Sequence, residues 1–173
     1  MQLPSIICET ARLILRPTTM DDFEFICGLF ADPEVSRFVG GVMSPEIVHQ
    51  KVAELADHER QYGFSRWSVL LKSTQQLIGR CGLMVKQIGG ASEVELGYSF
   101  ARAYWGQGYA TEAAGAALDH SFRVLGQPRV VAIIDPENHA SIRVAEKIGM
   151  TYERLVDWEG APTNLYAGHS KAK

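Results

Sequence analysis

Short apolar runs, some alternating with polar residues, mark the strands of this chain. Leu13 and Leu15 fall on the same face of an extended stretch, which Pro17 ends. Polar or glycine-rich connectors at 72–76 and 87–92 separate the later runs, as hairpin loops do. These patterns predict strands at Arg12–Arg16, Trp67–Leu71, Leu77–Leu83 and Val94–Phe100.

Between the first two strands, apolar residues recur at helical spacing. Ser44 is a typical N-cap, and Pro45 suits the first helical position because its missing N–H needs no partner there. Asp21 and Asp22 favour another helix start, since acidic side chains complement the positive end of the helix dipole. The sequence predicts three helices, which begin at Thr19–Asp22, after Asp32-Pro33, and at Ser44, with the last reaching about Tyr62-Gly63.

The second half of the chain alternates strands with helices. The continuous apolar run Val130–Ile134 is typical of a strand buried on both faces. Gly126 ends the helix before this run, and Asn138 caps the helix after it. The pattern predicts helices at Tyr109–Leu125 and Asn138–Gly149, and final strands at Tyr152–Val156 and Asn164–Ala167.

These elements predict one α/β domain over residues 1–173, with a core from about 10 to 168. Val94–Phe100 and Val130–Ile134 are separated by a single helix, so we expect them side by side and parallel, with a right-handed crossover. Ligands of open sheets bind beyond the carboxyl ends of strands, where neighbours diverge. We therefore predict a pocket between these two strands.

The composition is that of an ordinary globular protein, with 173 residues, 46% hydrophobic and 21% charged. The net charge of −3 argues against broad nucleic-acid binding, and no apolar run is long enough to span a membrane. Cys8, Cys27 and Cys81 form no Cys-x-x-Cys pair, and no secretory signal is visible, so we expect a cytoplasmic protein with reduced thiols. The histidines show no metal-ligand spacing, and we predict no metal site.

Two glycines, Gly106 and Gly108, stand between a predicted strand and a predicted helix. The first N–H groups of a helix lack partners within it, and glycine lets a ligand approach the backbone closely. This layout favours a phosphate site, because the helix dipole also attracts an anion. An ordinary strand–helix connection is the alternative, and no lysine follows as a Walker loop requires.

Four blocks in order resemble the GNAT acetyltransferase family, in particular the branch of ribosomal-protein alanine N-acetyltransferases. The blocks are Glu9–Pro17, Glu95–Tyr98, Trp105–Ala114, and Asn138–Ser141 running on to Glu146–Met150. The resemblance implies a mixed, mostly antiparallel central sheet with helices on both faces and strands splayed at the acyl-CoA site. It also implies acetyl-CoA as donor, an amine as acceptor, and direct transfer in a ternary complex.

The resemblance also implies which residues hold acetyl-CoA. The turn would hold the pyrophosphate, and the end of the preceding strand would hydrogen-bond the pantetheine arm as if it were an extra strand. The implied cofactor-binding residues are Ser99, Phe100, Ala101, Trp105, Gly106, Gln107, Gly108, Tyr109, Ala110, Thr111 and Asn138.

Two positions depart from the family pattern. Trp105 stands where many members carry Arg or Gln, so we expect pyrophosphate binding here to depend more on backbone N–H groups than on a side-chain cation. Ala145 stands where many members carry a tyrosine acid. The resemblance suggests Ser141 as its substitute, although a serine in the first turn of a helix often only bonds nearby backbone.

Glu95 is the candidate base, because the attacking amine must lose a proton before it has a free lone pair. The alternative is a solvated residue paired with a nearby arginine, and Glu93 on the same strand face is the rival carboxylate. Gly97 inside the strand indicates a bulge or a close backbone approach. Asn138 is expected both to cap its helix and to contact the CoA arm.

The acceptor site is expected between the early helices and the C-terminal hairpin, with core packing favoured for most of its aromatics. Candidate rim residues are Phe30, Arg37, Phe38, Tyr62, Trp67 and the loop Trp158–Asn164. A ribosomal-protein N-terminus, another peptide, an amino acid, a polyamine or an antibiotic amine all remain possible acceptors. A non-catalytic acyl-CoA-binding module and a nucleotide-binding domain are the alternative functions, and the chain is either a monomer or a homodimer.

Overall fold

The computed structural model describes residues 5–171, which form eight strands in one mixed sheet with five helices. The strands run in the spatial order β1-β2-β3-β4-β5-β6-β8-β7. Their bounds are β1 Cys8–Glu9, β2 Leu13–Pro17, β3 Arg66–Leu71, β4 Leu77–Ile88, β5 Ala91–Phe100, β6 Arg129–Ile134, β7 Thr151–Trp158 and β8 Ala161–His169. The predicted domain limits include residues 1–4 and 172–173, which lie outside the described part.

The helices begin and end where the caps predict. Ser44 accepts a hydrogen bond from the N–H of Ile47, and Gly63 ends that helix in the left-handed conformation. Asn138 Oδ1 accepts from the N–H of Ser141 at 3.2 Å. The bounds are α1 Phe23–Ala31, α2 Pro33–Ser36, α3 Pro45–Tyr62, α4 Tyr109–Arg123 and α5 His139–Lys147.

The helices cover both faces of the sheet. Neighbouring residues of a strand point to opposite faces, and in β4 the guanidinium of Arg80 lies over the ring of Phe30 from α1, while Cys81 packs in the main core with Ala114 of α4. Thus α1 covers one face, and α4 covers the other. The mixed α/β fold is confirmed. Among the described residues, no helix is both long and apolar enough to cross a bilayer.

The sheet opens between β5 and β6, which are parallel and adjacent as predicted. Within the described chain, one residue pair, Glu95 with Val131, joins β5 to β6, whereas ten pairs join β4 to β5. The last residues of β5, from Leu96 to Phe100, therefore have no strand partner on their β6 side within the described chain. Side chains from both faces can reach this gap, which makes it a site for a ligand.

Some local predictions were wrong. The β4–β5 register runs without a shift through Gly97, so no bulge interrupts that pairing. Instead, a Cβ at Gly97 would lie 2.3 Å from Arg66 Nη2, and the glycine makes room for that guanidinium. The supposed loop Trp158–Asn164 is mostly strand, because Trp158 already pairs with Ala161 across a tight turn. The short strand β1 was not predicted.

Candidate active site

A cavity of about 520 Å³ lies where β5 and β6 separate. Its lining comes from both faces of the sheet, from α5 and from the β7–β8 hairpin. Among the predicted site residues, it contains Glu95, Ser99, Asn138 and Ser141. The glycine turn, which we define as Trp105–Thr111, is not part of this lining and lies beyond the end of β5.

The glycine turn exposes a row of free backbone donors. The N–H groups from Gly106 to Thr111 have no hydrogen-bond acceptor within residues 5–171. Gly106 and Gly108 have φ angles of 72° and 81°, a conformation in which a side chain is strained. These donors lie just before the fifteen-residue helix α4 and in its first turn, which is the positive end of the helix dipole. The turn can therefore receive an anion, and its chemistry fits a pyrophosphate.

A cation that the sequence did not reveal also lies at this turn. Arg12 Nη1 donates to the carbonyl oxygen of Gln107 at 3.0 Å, and its guanidinium covers the ring of Tyr109 at 4.4 Å. Arg12 Nε also donates to Glu112 at 2.6 Å, so the acidic residue in the first turn of α4 is neutralised. The sequence predicts that the turn would bind a pyrophosphate mainly through backbone N–H groups. The guanidinium of Arg12 is a second candidate donor for the same anion.

The free edge of β5 lies on the same path. Trp105, half exposed, donates its indole N–H to the carbonyl oxygen of Phe100 at 2.7 Å. The N–H of Ala101 is already bonded to Ile78 within the sheet. A ligand that adds to this edge as a further strand meets a carbonyl that Trp105 has already engaged. This hydrogen bond holds the start of the glycine turn against the end of β5.

Glu95 is 4% exposed and lies between two cations. It forms ion pairs with Arg66 and with Lys86, the latter at 3.2 Å. Burial alone would raise the pKa of Glu95, but the two cations outweigh burial and hold the pKa below its usual value. Glu95 is therefore a permanently charged carboxylate near neutral pH and a weak proton acceptor.

The rival carboxylate has a different environment. Glu93 accepts hydrogen bonds from the Nε of Arg129 at 3.2 and 3.3 Å and is absent from the cavity lining. Arg129 also bonds to Glu153 on β7. Glu93 thus ties neighbouring strands together, whereas Glu95 faces the gap between β5 and β6.

A hydroxyl pair lies on the other side of the gap. Tyr98 donates its hydroxyl to Ser141 Oγ at 3.0 Å, and both residues line the cavity. Burial raises the pKa of Tyr98 to about 12, so this hydroxyl keeps its proton. Since Ser141 accepts from Tyr98, its own proton is available for another group. The amide nitrogen of Asn138 has no partner in the described chain and also lines the cavity.

The predicted acceptor residues divide into two groups. Phe30, Arg37 and Phe38 line the cavity, as does Trp158. Trp67 is 1% exposed in the main core, as expected of most of these aromatics. In residues 5–171, no group of three or more His, Cys, Asp or Glu side chains is arranged to hold a metal ion.

Five site residues were missed from the sequence, and strand register explains three of them. Their side chains approach one gap only because neighbouring strands pair as they do, which a sequence pattern cannot specify. Tyr98 and Arg12 had a visible signal, because each lies within one of the four blocks. The missed residues are Arg12, Arg66, Arg80, Lys86 and Tyr98.

Comparisons with known proteins agree with this geometry. The family described as "Acetyltransferase (GNAT) domain" matches residues 12–151. The Bacillus subtilis (strain 168) protein YkkB is 39% identical over 158 residues, covering 91% of this chain and 92% of YkkB.

Solved structures show the same architecture. An acetyltransferase from Agrobacterium tumefaciens str. C58 superposes with a TM-score of 0.85 at 30% identity, covering 98% of this chain and 96% of that one. RimL, a ribosomal L7/L12 α-N-protein acetyltransferase solved in complex with coenzyme A, superposes with a TM-score of 0.79. At 21% identity, covering 96% of this chain and 98% of RimL, that match shows the fold alone.

Proposed function

The chain belongs to the GNAT acetyltransferase family, and we propose that it moves the acetyl group of acetyl-CoA directly to a primary amine in a ternary complex. The observation that carries this proposal is the cavity between β5 and β6, with Glu95 near one wall and the Tyr98–Ser141 pair near another. Membership of an acetyltransferase family favours catalysis over a non-catalytic module and over a nucleotide-binding domain.

We assign acetyl-CoA to a path with two parts. The pyrophosphate would accept hydrogen bonds from the free N–H groups of Gly106–Thr111, with Arg12 nearby as a cation. The pantetheine arm would run along the free edge of β5 at Ser99–Ala101 and pass Asn138. The bound molecule would supply a thioester whose carbonyl carbon an amine can attack.

During the reaction two protons leave the nitrogen, and one proton reaches the thiolate. The ammonium loses one proton to become a nucleophile, and the C–S bond breaks as the new C–N bond forms. The second proton leaves the nitrogen, and the departing thiolate takes up one proton. The products are an acetamide, CoA and one released proton. Hydrogen-bond donors near the thioester lower the barrier as charge develops on oxygen and sulfur.

We propose Glu95 as the group that takes the proton from the amine, through water where the two do not touch. Its low pKa suits the last stage best, because a nitrogen already bonded to the acetyl carbon is far more acidic than a free ammonium. We propose Ser141 as the donor to the thiolate. Tyr98 is then a positioning residue, since its hydroxyl directs the Ser141 proton away from itself.

The test is binding followed by turnover. Acetyl-CoA added to the purified protein should raise the melting temperature, and a panel of amines and peptides should release CoA. Absence of stabilisation by either acetyl-CoA or CoA would overturn the proposal. Stabilisation without transfer to any amine would restore the non-catalytic module.

A further inference from the structure

Arg80 is a buried cation that has no partner among residues 5–171. It lies in the middle of β4, is 6% exposed and lines the cavity. Its Nε has no hydrogen-bond acceptor within residues 5–171, and no ion pair reaches its guanidinium in that part of the chain. Burying a charge without a counter-ion is unfavourable. An anion bound at this wall of the cavity would supply the missing acceptor.

The surroundings of Arg80 add positive charge. We call Arg66, Arg80, Lys86 and Glu95 the buried charged cluster, which contains three cations and one carboxylate. Glu95 is shared by Arg66 and Lys86, so it does not neutralise Arg80. Burial and the nearby Arg66 lower the pKa of Arg80 to about 9, which still leaves it charged at neutral pH.

No other carboxylate of the lining reaches this depth. The three others are exposed at the mouth of the cavity, and they are Glu54, Asp135 and Glu159. On the helix side, the neighbour of Arg80 is the ring of Phe30, whose centroid lies 5.4 Å from the guanidinium carbon. An aromatic face tolerates a cation but cannot satisfy its N–H donors. A planar carboxylate from outside the chain would satisfy them.

Strand register sets the distance of this anion site from the reacting groups. Arg80 pairs with Ser99, and the next residue of β4, Cys81, pairs with Tyr98 of the hydroxyl pair. One residue, or ~3.3 Å along β4, therefore separates Arg80 from the register position of Tyr98, and four residues, or ~13 Å, separate it from Met84, the partner of Glu95. The reacting amine and the anion would thus be about one amino acid apart. The phosphates of acetyl-CoA would bind at the glycine turn, which follows the end of β5 at Phe100.

Resting on the proposed function, we propose that the acceptor is an amine that also carries a carboxylate within a few bonds, as an amino acid does, and that Arg80 binds this carboxylate. A polyamine is disfavoured, because a second ammonium would face the cations of the buried charged cluster. A peptide fits only where an acidic side chain close to its N-terminus supplies the same carboxylate.

The first experiment uses the unaltered protein with matched acceptors. Amino acids are compared with their carboxamides and with the amines that lack the carboxyl group, and spermidine is added. We expect kcat/KM, measured by CoA release, to be at least tenfold higher for the acids than for the amides. Equal rates for acid and amide, or a preference for spermidine, would overturn the inference.

Peptides test whether an acidic side chain near an N-terminus can supply the carboxylate in place of a free amino acid. Peptides with an acidic residue at the first or second position are compared with peptides that carry the corresponding amide side chain there. A preference for the acidic peptides supports the same site and places the carboxylate on a side chain. Equal rates for the two peptide sets, at least as fast as those for the free amino acids, would contradict it.

The second experiment is Arg80→Met, with Arg123→Met on the exposed face of α4 as the matched control. We expect KM for a carboxylate acceptor to rise at least tenfold, while KM for acetyl-CoA and for the amide stays within twofold. The melting temperature should not fall, since an unpaired buried charge is removed. Equal losses for acid and amide, or weaker binding of acetyl-CoA, would assign Arg80 another role. Failure of every amine to react would overturn the proposed function itself.

Discussion

The glycine turn and the buried charged cluster are two charge-binding regions of one molecule, and they are constructed differently. The turn is exposed and presents backbone N–H groups from Gly106–Thr111, which any sequence with glycines in these positions could offer. The cluster is buried and consists of side chains from three strands. Backbone donors can bind an anion whatever molecule carries it, whereas side chains arranged by strand pairing can discriminate between ligands.

The largest effect is expected when the carboxylate of the buried charged cluster is removed. Glu95→Gln should lower kcat by about 100-fold, within the range of general acid–base catalysis. The matched control is Glu93→Gln, which removes a carboxylate from the same strand face outside the cavity. Steady-state rates at saturating acetyl-CoA check this. A kcat within threefold of the unaltered protein in Glu95→Gln would remove Glu95 from the mechanism.

Glu95 should also affect how the free energy of unfolding depends on pH, which is measured independently of turnover. The pKa of Glu95 is lower in the folded state than its ordinary value of 4.5. Its ion pairs therefore stabilise the fold above about pH 4.5, and this contribution is lost as the pH falls through the folded pKa. Urea unfolding from pH 7 to pH 3 should show a shallower acid loss in Glu95→Gln than in the unaltered protein. Identical profiles would mean that Glu95 is not held by its two cations.

The next largest effect is expected at the Tyr98–Ser141 hydroxyl pair, which we propose to lie beside the thioester. Ser141→Ala should lower kcat by about 30-fold, and Tyr98→Phe by about threefold, with KM for acetyl-CoA unchanged in both. Ser141→Thr keeps the hydroxyl and should retain most of the turnover. If Tyr98 acts through Ser141, the double variant is no slower than Ser141→Ala alone. Fully additive losses would give Tyr98 a separate role.

A smaller effect is expected at the turn. Gly108→Ala should weaken CoA binding about tenfold, since alanine at φ 81° is strained by ~1–2 kcal/mol and would turn the backbone donors away. Gly126→Ala is the control, because Gly126 has φ 67° at the other end of the same helix, with open space for a Cβ. Calorimetric titration with CoA separates the two. Equal Kd values would show that the turn does not bind CoA.

The smallest effect tests the junction of turn and strand. Trp105→Phe removes the indole N–H that occupies the carbonyl of Phe100. We expect CoA to bind up to about threefold more tightly, because that carbonyl becomes available to the pantetheine arm. Weaker binding, measured by the same titration, would show that the indole supports the turn more than it competes with the ligand.

These two regions also differ in how far the sequence predicted them. The turn was predicted because its determinants are local: glycines, a preceding strand and a following helix. The capped helices α3 and α5 were predicted for the same reason, through Ser44 and Asn138. The cluster could not be predicted, because Arg66 and Arg80 meet Glu95 only through the pairing of β3, β4 and β5. Gly97 illustrates this limit, since its purpose is to make room for a side chain 31 positions earlier.

The contact between Arg12 and Glu112 has a consequence for the order in which the molecule is assembled. It joins residues 100 positions apart, and Thr10 strengthens it through its own hydroxyl. During synthesis, the first strand leaves the ribosome long before the helix that it must hold. If the turn binds CoA as proposed, CoA affinity should depend on the docking of the N-terminal segment that carries Arg12. A chain that began after Arg12 would keep every residue of the turn and still hold it in the wrong orientation.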